Sequence, residues 1–316
     1  MKAIVTQGFG PKSRLVLGEK DAPTPGPDDV VVKVHAASVN PKDWKLNALF
    51  AASVGSLGTK LLPPVFGDDL AGVVVAKGAN VTGLELGDRV FGMDMRPRTA
   101  SLAEMAKIDA RRIARMPRTA SFAEAAAVPL AGQTALQALR LGGAKHGSRV
   151  LLIGASGGVG TFAVQIAKAM GCHVTAVCST KNVDFVRSLG ADAVIDYTAG
   201  DYRKTAGRFD LIFDVTSYES PATCEALLEP HGRFITSAGS VGALLRTLRH
   251  GPKRAGAVKV ESYREDLETL ARWIDEGKVK VVLDGTFPLA DSQAAYERSR
   301  TGRARGKIAI EIVPSA

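Results

Sequence analysis

The chain reads as an α/β protein, with a doubly wound parallel sheet that follows a β-rich segment. Three observations predict this. The apolar run Val150-Leu151-Leu152-Ile153 enters Gly154-Ala155-Ser156-Gly157-Gly158-Val159-Gly160, and the alternating stretch 162–168 leaves it. That is a buried strand, a tight glycine turn and a helix packing back on the sheet. From Ser121 onward, β and α segments alternate. The first 120 residues instead hold short strand runs punctuated by glycine and proline, which suits a small barrel.

The elements follow in order. Residues 1–6 read as a first strand, not a signal peptide. Strands are expected over 30–36, 70–76 and 88–92, the first preceded by a Pro/Gly turn at 23–27. Ser121-Phe122-Ala123-Glu124 has the form of a capping box opening a helix, and a second helix runs through 134–139. Parallel strands are expected at 149–154, 173–178, 192–195, 209–215 and 232–237. Helices 158–170 and 182–189 lie among them. A helix at 263–276, a strand at 279–282 and an alternating final strand at 306–312 complete the chain. The last strand is placed to return to the first domain. Residues 241–259 are apolar and basic together, and read as a solvated face, a helix, a partner surface or a membrane-surface element.

Composition sets the outer bounds. A length of 316 residues suits two domains. The hydrophobic fraction of 46% and the 33 glycines suit a globular α/β protein. The apolar runs are too short to span a bilayer. Cys172, Cys178 and Cys224 have the spacing of neither a disulfide framework nor a zinc knuckle, so a reduced, cytoplasmic protein is expected. The net charge of +9 favours anionic ligands, and no specific nucleic-acid partner is expected.

The glycine turn carries the first chemistry. Such a loop aims free backbone N–H groups and the positive end of a helix at a phosphate. Gly157 lets the backbone approach a pyrophosphate and Gly160 lets helix and strand pack closely; Ala155 stands where the dinucleotide fingerprint has glycine. Loop residues Ala155, Ser156, Gly157, Gly158 and Val159 are therefore candidate cofactor contacts.

An NAD site places a carboxylate at the end of the second strand, where it accepts from the ribose 2′-OH. Here the strand 173–178 is followed by Ser179-Thr180-Lys181-Asn182. Two hydroxyls, an amide and a lysine are present to bind a 2′-phosphate, and no carboxylate stands in that stretch to repel it. One charge-assisted hydrogen bond is worth about 1.5–3 kcal/mol, enough for a tenfold preference for NADP over NAD.

Together these pieces resemble the medium-chain dehydrogenase/reductase superfamily, in its zinc-independent quinone oxidoreductase and NADPH-dependent enone reductase branch. The resemblance rests on Ser38-Val39-Asn40-Pro41-Lys42-Asp43-Trp44-Lys45, Gly67-Asp68-Asp69-Leu70-Ala71-Gly72 and Gly87-Asp88-Arg89-Val90. It continues through the glycine loop, Ser179-Thr180-Lys181, Ile195-Asp196-Tyr197 and Gly302-Arg303-Ala304-Arg305-Gly306-Lys307. It implies a GroES-like β-barrel catalytic domain over 1–120 and 284–316, a Rossmann domain over 121–283, and a site between them. It further implies NADPH as cofactor, Lys45 and Asn40 at the reaction centre, Lys45, Tyr197, Ala238 and Gly239 as cofactor contacts, and a homodimer.

The departures from zinc alcohol dehydrogenases shape the expected reaction. Those enzymes carry a Cys where this chain has Asn40, Gly-His-Glu where it has Gly67-Asp68-Asp69, and a third Cys within what is here Pro129-Leu130-Ala131-Gly132. Catalytic zinc needs three protein ligands, so no metal site is expected. Without a Lewis acid, reducing a conjugated acceptor is easier than deprotonating an alcohol. The implied reaction is hydride transfer to the β-carbon of an α,β-unsaturated carbonyl, or to a quinone. In that reaction Lys45 stabilises the developing oxyanion. Asn40 either hydrogen-bonds the substrate or cofactor, or caps the turn before Pro41. Tyr197 packs at the adenosine end or is structural, and His35 reads as structural. Two alternatives remain: an alcohol dehydrogenase recruiting metal through Asp68, Asp69 and His35, and an NADPH-binding protein acting on RNA or a partner through Arg246, Arg249, Lys253 and Arg254.

Overall fold

A computed structural model describes residues 1–7, 14–43, 67–95, 100–204, 207–237 and 254–312. The chain divides into two compact units. The first comprises Met1–Leu130, Ser262–Asp275 and Leu283–Ala316; the second comprises Ala131–Glu261 and Glu276–Val282.

The first unit is built on antiparallel strands. They are β1 (Lys2–Gln7), β2 (Arg14–Glu19), β3 (Asp29–Val39), β4 (Asp69–Lys77), β5 (Arg89–Met93), β6 (Met105–Asp109) and β7 (Ile113–Arg115). β3 takes β4, β6 and, from the far end of the sequence, β15 (Lys307–Glu311) as partners. With both edges paired it is buried along nearly its whole length. β15 also pairs in parallel with β14 (Leu283–Pro288), so the C-terminal segment does return to the first unit. Val30, Val32, Val34, Leu70, Val74 and Val90 form one core cluster. A second gathers Ile4, Val39, Leu102, Tyr296, Ile308 and Ile310.

The predicted capping box is present. Ser121 Oγ accepts from the Glu124 N–H at 3.2 Å, and Glu124 accepts from the Ser121 N–H at 2.8 Å. It opens α1 (Phe122–Ala126), which packs on β3, β4, β5 and β15. The expected division at residue 121 is therefore displaced: 121–130 belong with the first unit, and the boundary falls in the first turn of α2 (Pro129–Leu141). Helix α5 (Arg264–Asp275) also joins the first unit, because it packs against β7.

The second unit carries a sheet of parallel strands, β8 (Arg149–Ile153), β9 (His173–Cys178), β10 (Ala193–Asp196), β11 (Phe209–Asp214), β12 (Leu228–Thr236) and β13 (Ala255–Ala257). Its order is β10-β9-β8-β11-β12-β13, the doubly wound 3-2-1-4-5-6 arrangement. Helix α3 (Gly158–Ala169) packs on β8 and β9, and α4 (Val183–Ser188) on β9 and β10.

The sequence reading contains no counterpart of β2, β6, β7, β13 or the helix α6 (Ser292–Arg300), all short or charged segments whose periodicity is weak. It also places a strand at 279–282, where none forms; the strand begins at Leu283. The backbone of Lys280 instead bonds the side-chain amide of Gln165, its N–H donating at 2.8 Å and its carbonyl accepting at 2.9 Å. An apolar β-branched run satisfied by a side chain looks like a strand in sequence.

Candidate active site

In the second unit the strand order reverses between β8 and β11, and ligands of such sheets bind beyond the strand ends at that point. The glycine turn leaves β8 there. Gly154 has φ +87°, a conformation that favours glycine, and any Cβ on it would come within 2.5 Å of Thr216 Cγ2. A Cβ on Gly160 would press on the Gly154 carbonyl and lie 2.8 Å from Ala155 backbone atoms, so the predicted close packing of helix and strand is real. On Gly157 a Cβ would point into open space, its nearest neighbour 3.8 Å away. Gly157 caps α3 without a side-chain partner. A helix has no intrahelical acceptor for the N–H groups of its first turn, and this turn begins beside that opening. This cradle fits a pyrophosphate.

The turn after β9 is tied to the glycine loop. The buried Asn182 donates to Ser156 Oγ at 3.0 Å and to Ser179 Oγ at 3.3 Å. Its amide is therefore a brace between the two loops and not a phosphate donor. Ser179 accepts that bond and keeps its own hydroxyl proton to donate. Lys181 is exposed beside it. Tyr197 is 55% exposed, and its backbone N–H donates to the Cys178 carbonyl at 3.1 Å, which ties its backbone to this turn.

One sequence inference is corrected here. The stretch 179–182 contains no carboxylate, but the fold brings one in from β10. Thr180 Oγ1 donates to Asp196 Oδ2 at 2.6 Å, and Thr198 Oγ1 donates to Asp196 Oδ1 at 2.6 Å. β9 and β10 run in parallel register with Asp196 opposite Cys178, so the two turns leave the sheet side by side.

Sequence reasoning also missed the loop after β11. Buried Asp214 accepts from the Thr216 N–H and hydroxyl, the Ser217 N–H and the Glu219 N–H. Ser217 has φ +61°, a strained conformation for a non-glycine residue. Such strain persists only where the surroundings hold it, as this carboxylate does. The readable signal was an aspartate ending an apolar strand beside the glycine turn.

In the first unit, Asp69 is the hub of a buried network. Its Oδ2 accepts from Ser38 Oγ at 2.6 Å and from Asn40 Nδ2 at 2.8 Å, and lies 3.5 Å from Lys307 Nζ. Its Oδ1 accepts from the Leu130 N–H at 2.8 Å, at the N-terminus of α2. Lys307 Nζ also donates to Asn40 Oδ1 at 2.5 Å and to the Val39 carbonyl at 3.3 Å. Both polar atoms of the Asn40 amide are thus engaged within the protein. Asn40 does not cap the turn with its side chain: its backbone N–H donates to Asp43.

Asp68 pairs with Lys42 at 2.5 Å. Burial pushes the Asp68 carboxyl up to about 6, against the pull of Lys42, and burial followed by the Asp68 charge pushes Asp43 upward as well. Tyr296 is buried beside both carboxyls, and burial raises its phenol. His35 stacks on Phe122 with ring centroids 4.2 Å apart, in keeping with a structural role, and burial lowers its pKa. Among the described residues, no three His, Cys, Asp or Glu side chains are grouped to hold a metal ion.

Lys45, Ala238 and Gly239 lie outside the described residues, as do Arg246, Arg249 and Lys253. Arg254 is described and pairs with Glu225 at 3.5 Å. No described helix is long and apolar enough to cross a membrane.

Residues 26–137 match the family profile of the alcohol dehydrogenase GroES-like domain, and 189–310 that of the zinc-binding dehydrogenase. The chain is 39% identical to a trans-enoyl reductase, pgmF, of Aspergillus terreus, over 91% of this chain and 87% of that protein. It is 33% identical to a chloroplast envelope quinone oxidoreductase homolog of Arabidopsis thaliana, over 92% and 91%. The structure of a quinone oxidoreductase from Coxiella burnetii superposes with a TM-score of 0.87 at 29% identity, covering 99% of each chain. The chain belongs to the medium-chain dehydrogenase/reductase superfamily, in its quinone oxidoreductase-like branch.

Proposed function

We propose that this protein is a zinc-independent reductase that uses NADPH to reduce a quinone or the C=C bond of an α,β-unsaturated carbonyl. The observation that carries this reading is the pair of loops joined by Asn182. They bring a phosphate cradle at Gly157 together with Ser179 and Lys181 at the end of β9. The names of the relatives support the acceptor class.

NADPH when bound supplies a hydride, which adds to the acceptor's β-carbon and leaves an enolate. In this reading the α3 N-terminus and the 156–159 backbone hold the pyrophosphate, and Ser179 and Lys181 hold the 2′-phosphate. Tyr197 packs against the adenosine. Lys45 stabilises the enolate oxygen, and the α-carbon takes its proton from solvent. Asn40 is then a positioning residue, held by Asp69 and Lys307 at the start of the segment that carries Lys45.

Two of the positions where zinc enzymes of this superfamily carry ligands, Asn40 and the 129–132 stretch, are joined through Asp69, and a third, Asp68, pairs with Lys42; this supports a reaction without zinc. A homodimer working in the cytoplasm belongs to the same reading, and sedimentation equilibrium checks the dimer.

Stopped-flow oxidation of NADPH and of NADH, each with a quinone and a simple enone, tests the function. Rapid oxidation with NADPH favoured is expected. Tight NADPH binding without turnover on either acceptor would remove the reductase reading. Lys45→Ala should lower turnover more than NADPH affinity; unchanged turnover on a good enone would sink its assignment.

A further inference from the structure

We propose that Asp196 determines how far this protein prefers a 2′-phosphorylated nicotinamide dinucleotide over the unphosphorylated one, acting against Lys181. The inference rests on the reading of the 179–181 turn as the adenosine-ribose end of the cofactor site.

The geometry sets the carboxylate among the phosphate donors. Asp196 ends β10 level with Cys178, the last residue of β9. Its Oδ2 is 2.6 Å from Thr180 Oγ1, and its Oδ1 takes both the Thr198 hydroxyl at 2.6 Å and the Thr198 N–H at 2.9 Å. The Thr180 and Thr198 hydroxyls also touch, at 2.6 Å. A threonine hydroxyl has one proton, and that of Thr180 is taken up within this cluster, by the carboxylate or by Thr198. Thr180 then turns lone pairs outward, and a phosphate has no use for another acceptor. Hydrogen bonds from Thr180 and Thr198 hold the Asp196 carboxyl below its ordinary range, so it stays charged.

The consequences differ for the two cofactors. A 2′-phosphate gains Lys181 and Ser179 but meets the Asp196 charge one hydroxyl away. A ribose with a free 2′-OH brings its own donor, which the Thr180 oxygen or the Asp196 carboxylate accepts. The site is therefore mixed: Lys181 favours NADPH, and Asp196 pulls the selectivity back toward NADH.

The test is calorimetric binding of 2′,5′-ADP and 5′-AMP, and of NADPH and NADH, to wild type, Asp196→Asn, Asp196→Ala and Lys181→Ala. Asp196→Asn should raise the preference for the phosphorylated ligand by about two- to fivefold, in the range of exposed charge interactions. The gain should shrink at high salt. The alanine variant serves if the asparagine one misfolds. An unchanged selectivity, or equal losses for both ligands, would overturn the proposal and leave Asp196 as a turn brace. If wild type shows no preference for 2′,5′-ADP and Lys181→Ala changes nothing, the NADPH reading falls; the shift between wild type and Asp196→Asn still decides the role of Asp196.

Discussion

The cofactor half and the Asp69 network are both polar constructions at strand ends, yet they are assembled in opposite ways. The glycine turn, the 179–182 turn and Asp196 come from one continuous stretch of about fifty residues within three neighbouring parallel strands. The network around Asp69 draws on residues 38, 40, 130 and 307, with Lys307 bonded to Asn40 across 267 positions. The first leaves backbone N–H groups and an exposed lysine facing outward, whereas the second is sealed, with Ser38, Asn40, Asp69 and Lys307 all buried. One is an open turn, which the proposed function assigns to an anion, and the other is an internal joint. The polar residues of the two differ in what removal should do: loss of binding in the first, loss of stability in the second.

Substitutions test that contrast, beginning with the largest effect. Asp69→Ala leaves the buried Lys307 ammonium without its counter-charge and a buried amide and hydroxyl without their acceptor, and should cost about 3–5 kcal/mol in urea denaturation. A cost under 1 kcal/mol, roughly what an exposed pair gives, would show the network to be slack. Gly160→Val drives side-chain atoms into the Gly154–Ala155 backbone. It should cost about 1–3 kcal/mol by overpacking and abolish NADPH binding in a fluorescence titration. Asn182→Ala loses two neutral hydrogen bonds, each worth about 0.5–1.5 kcal/mol of stability. It should weaken NADPH and NADH binding alike, unlike the selective change expected at Asp196.

The smallest effect is in pH. The Asp68 carboxyl is raised to about 6 from an ordinary value of 3.8. Between those values the folded state keeps a proton that the unfolded chain gives up. This group therefore loses stability for the protein as pH rises through the window, and contributes a constant cost above it. Asp88, Asp192, Asp275 and Asp284 are shifted downward and slope the other way, so the comparison must be with a variant. The urea midpoint of Asp68→Asn should gain on wild type as pH rises from 4 to 6. A constant difference would show that the Lys42 pair keeps Asp68 ionised throughout.

The same contrast governs what was readable. The strand–turn–helix at 150–168, the capping box at Ser121 and the return of the last strand were legible because each is a periodic pattern joined to a local turn signal. The brace made by Asn182 was not, since an amide three residues past Ser179 reads equally well as a ligand donor. Asp214 and Ser217 gave only a strand-final aspartate. Asp68 and Asp69 read as turn formers, and their two fates, an ion pair with Lys42 and a four-way hub, depend on partners from other strands.

From sequence alone came the α/β class, the strand–glycine turn–helix at 150–168 and the polar turn at 179–182, because strand periodicity, glycine conformation and helix ends act over a few residues. Only the tertiary structure decided that Asp196 stands against Thr180, that Asn40 faces Asp69 and Lys307, and that 279–282 pairs with Gln165 and not with a strand. These depend on which strand ends lie adjacent in the sheet, and hydrogen bonds formed across 2.6–3.5 Å between distant positions leave no periodic trace in the chain.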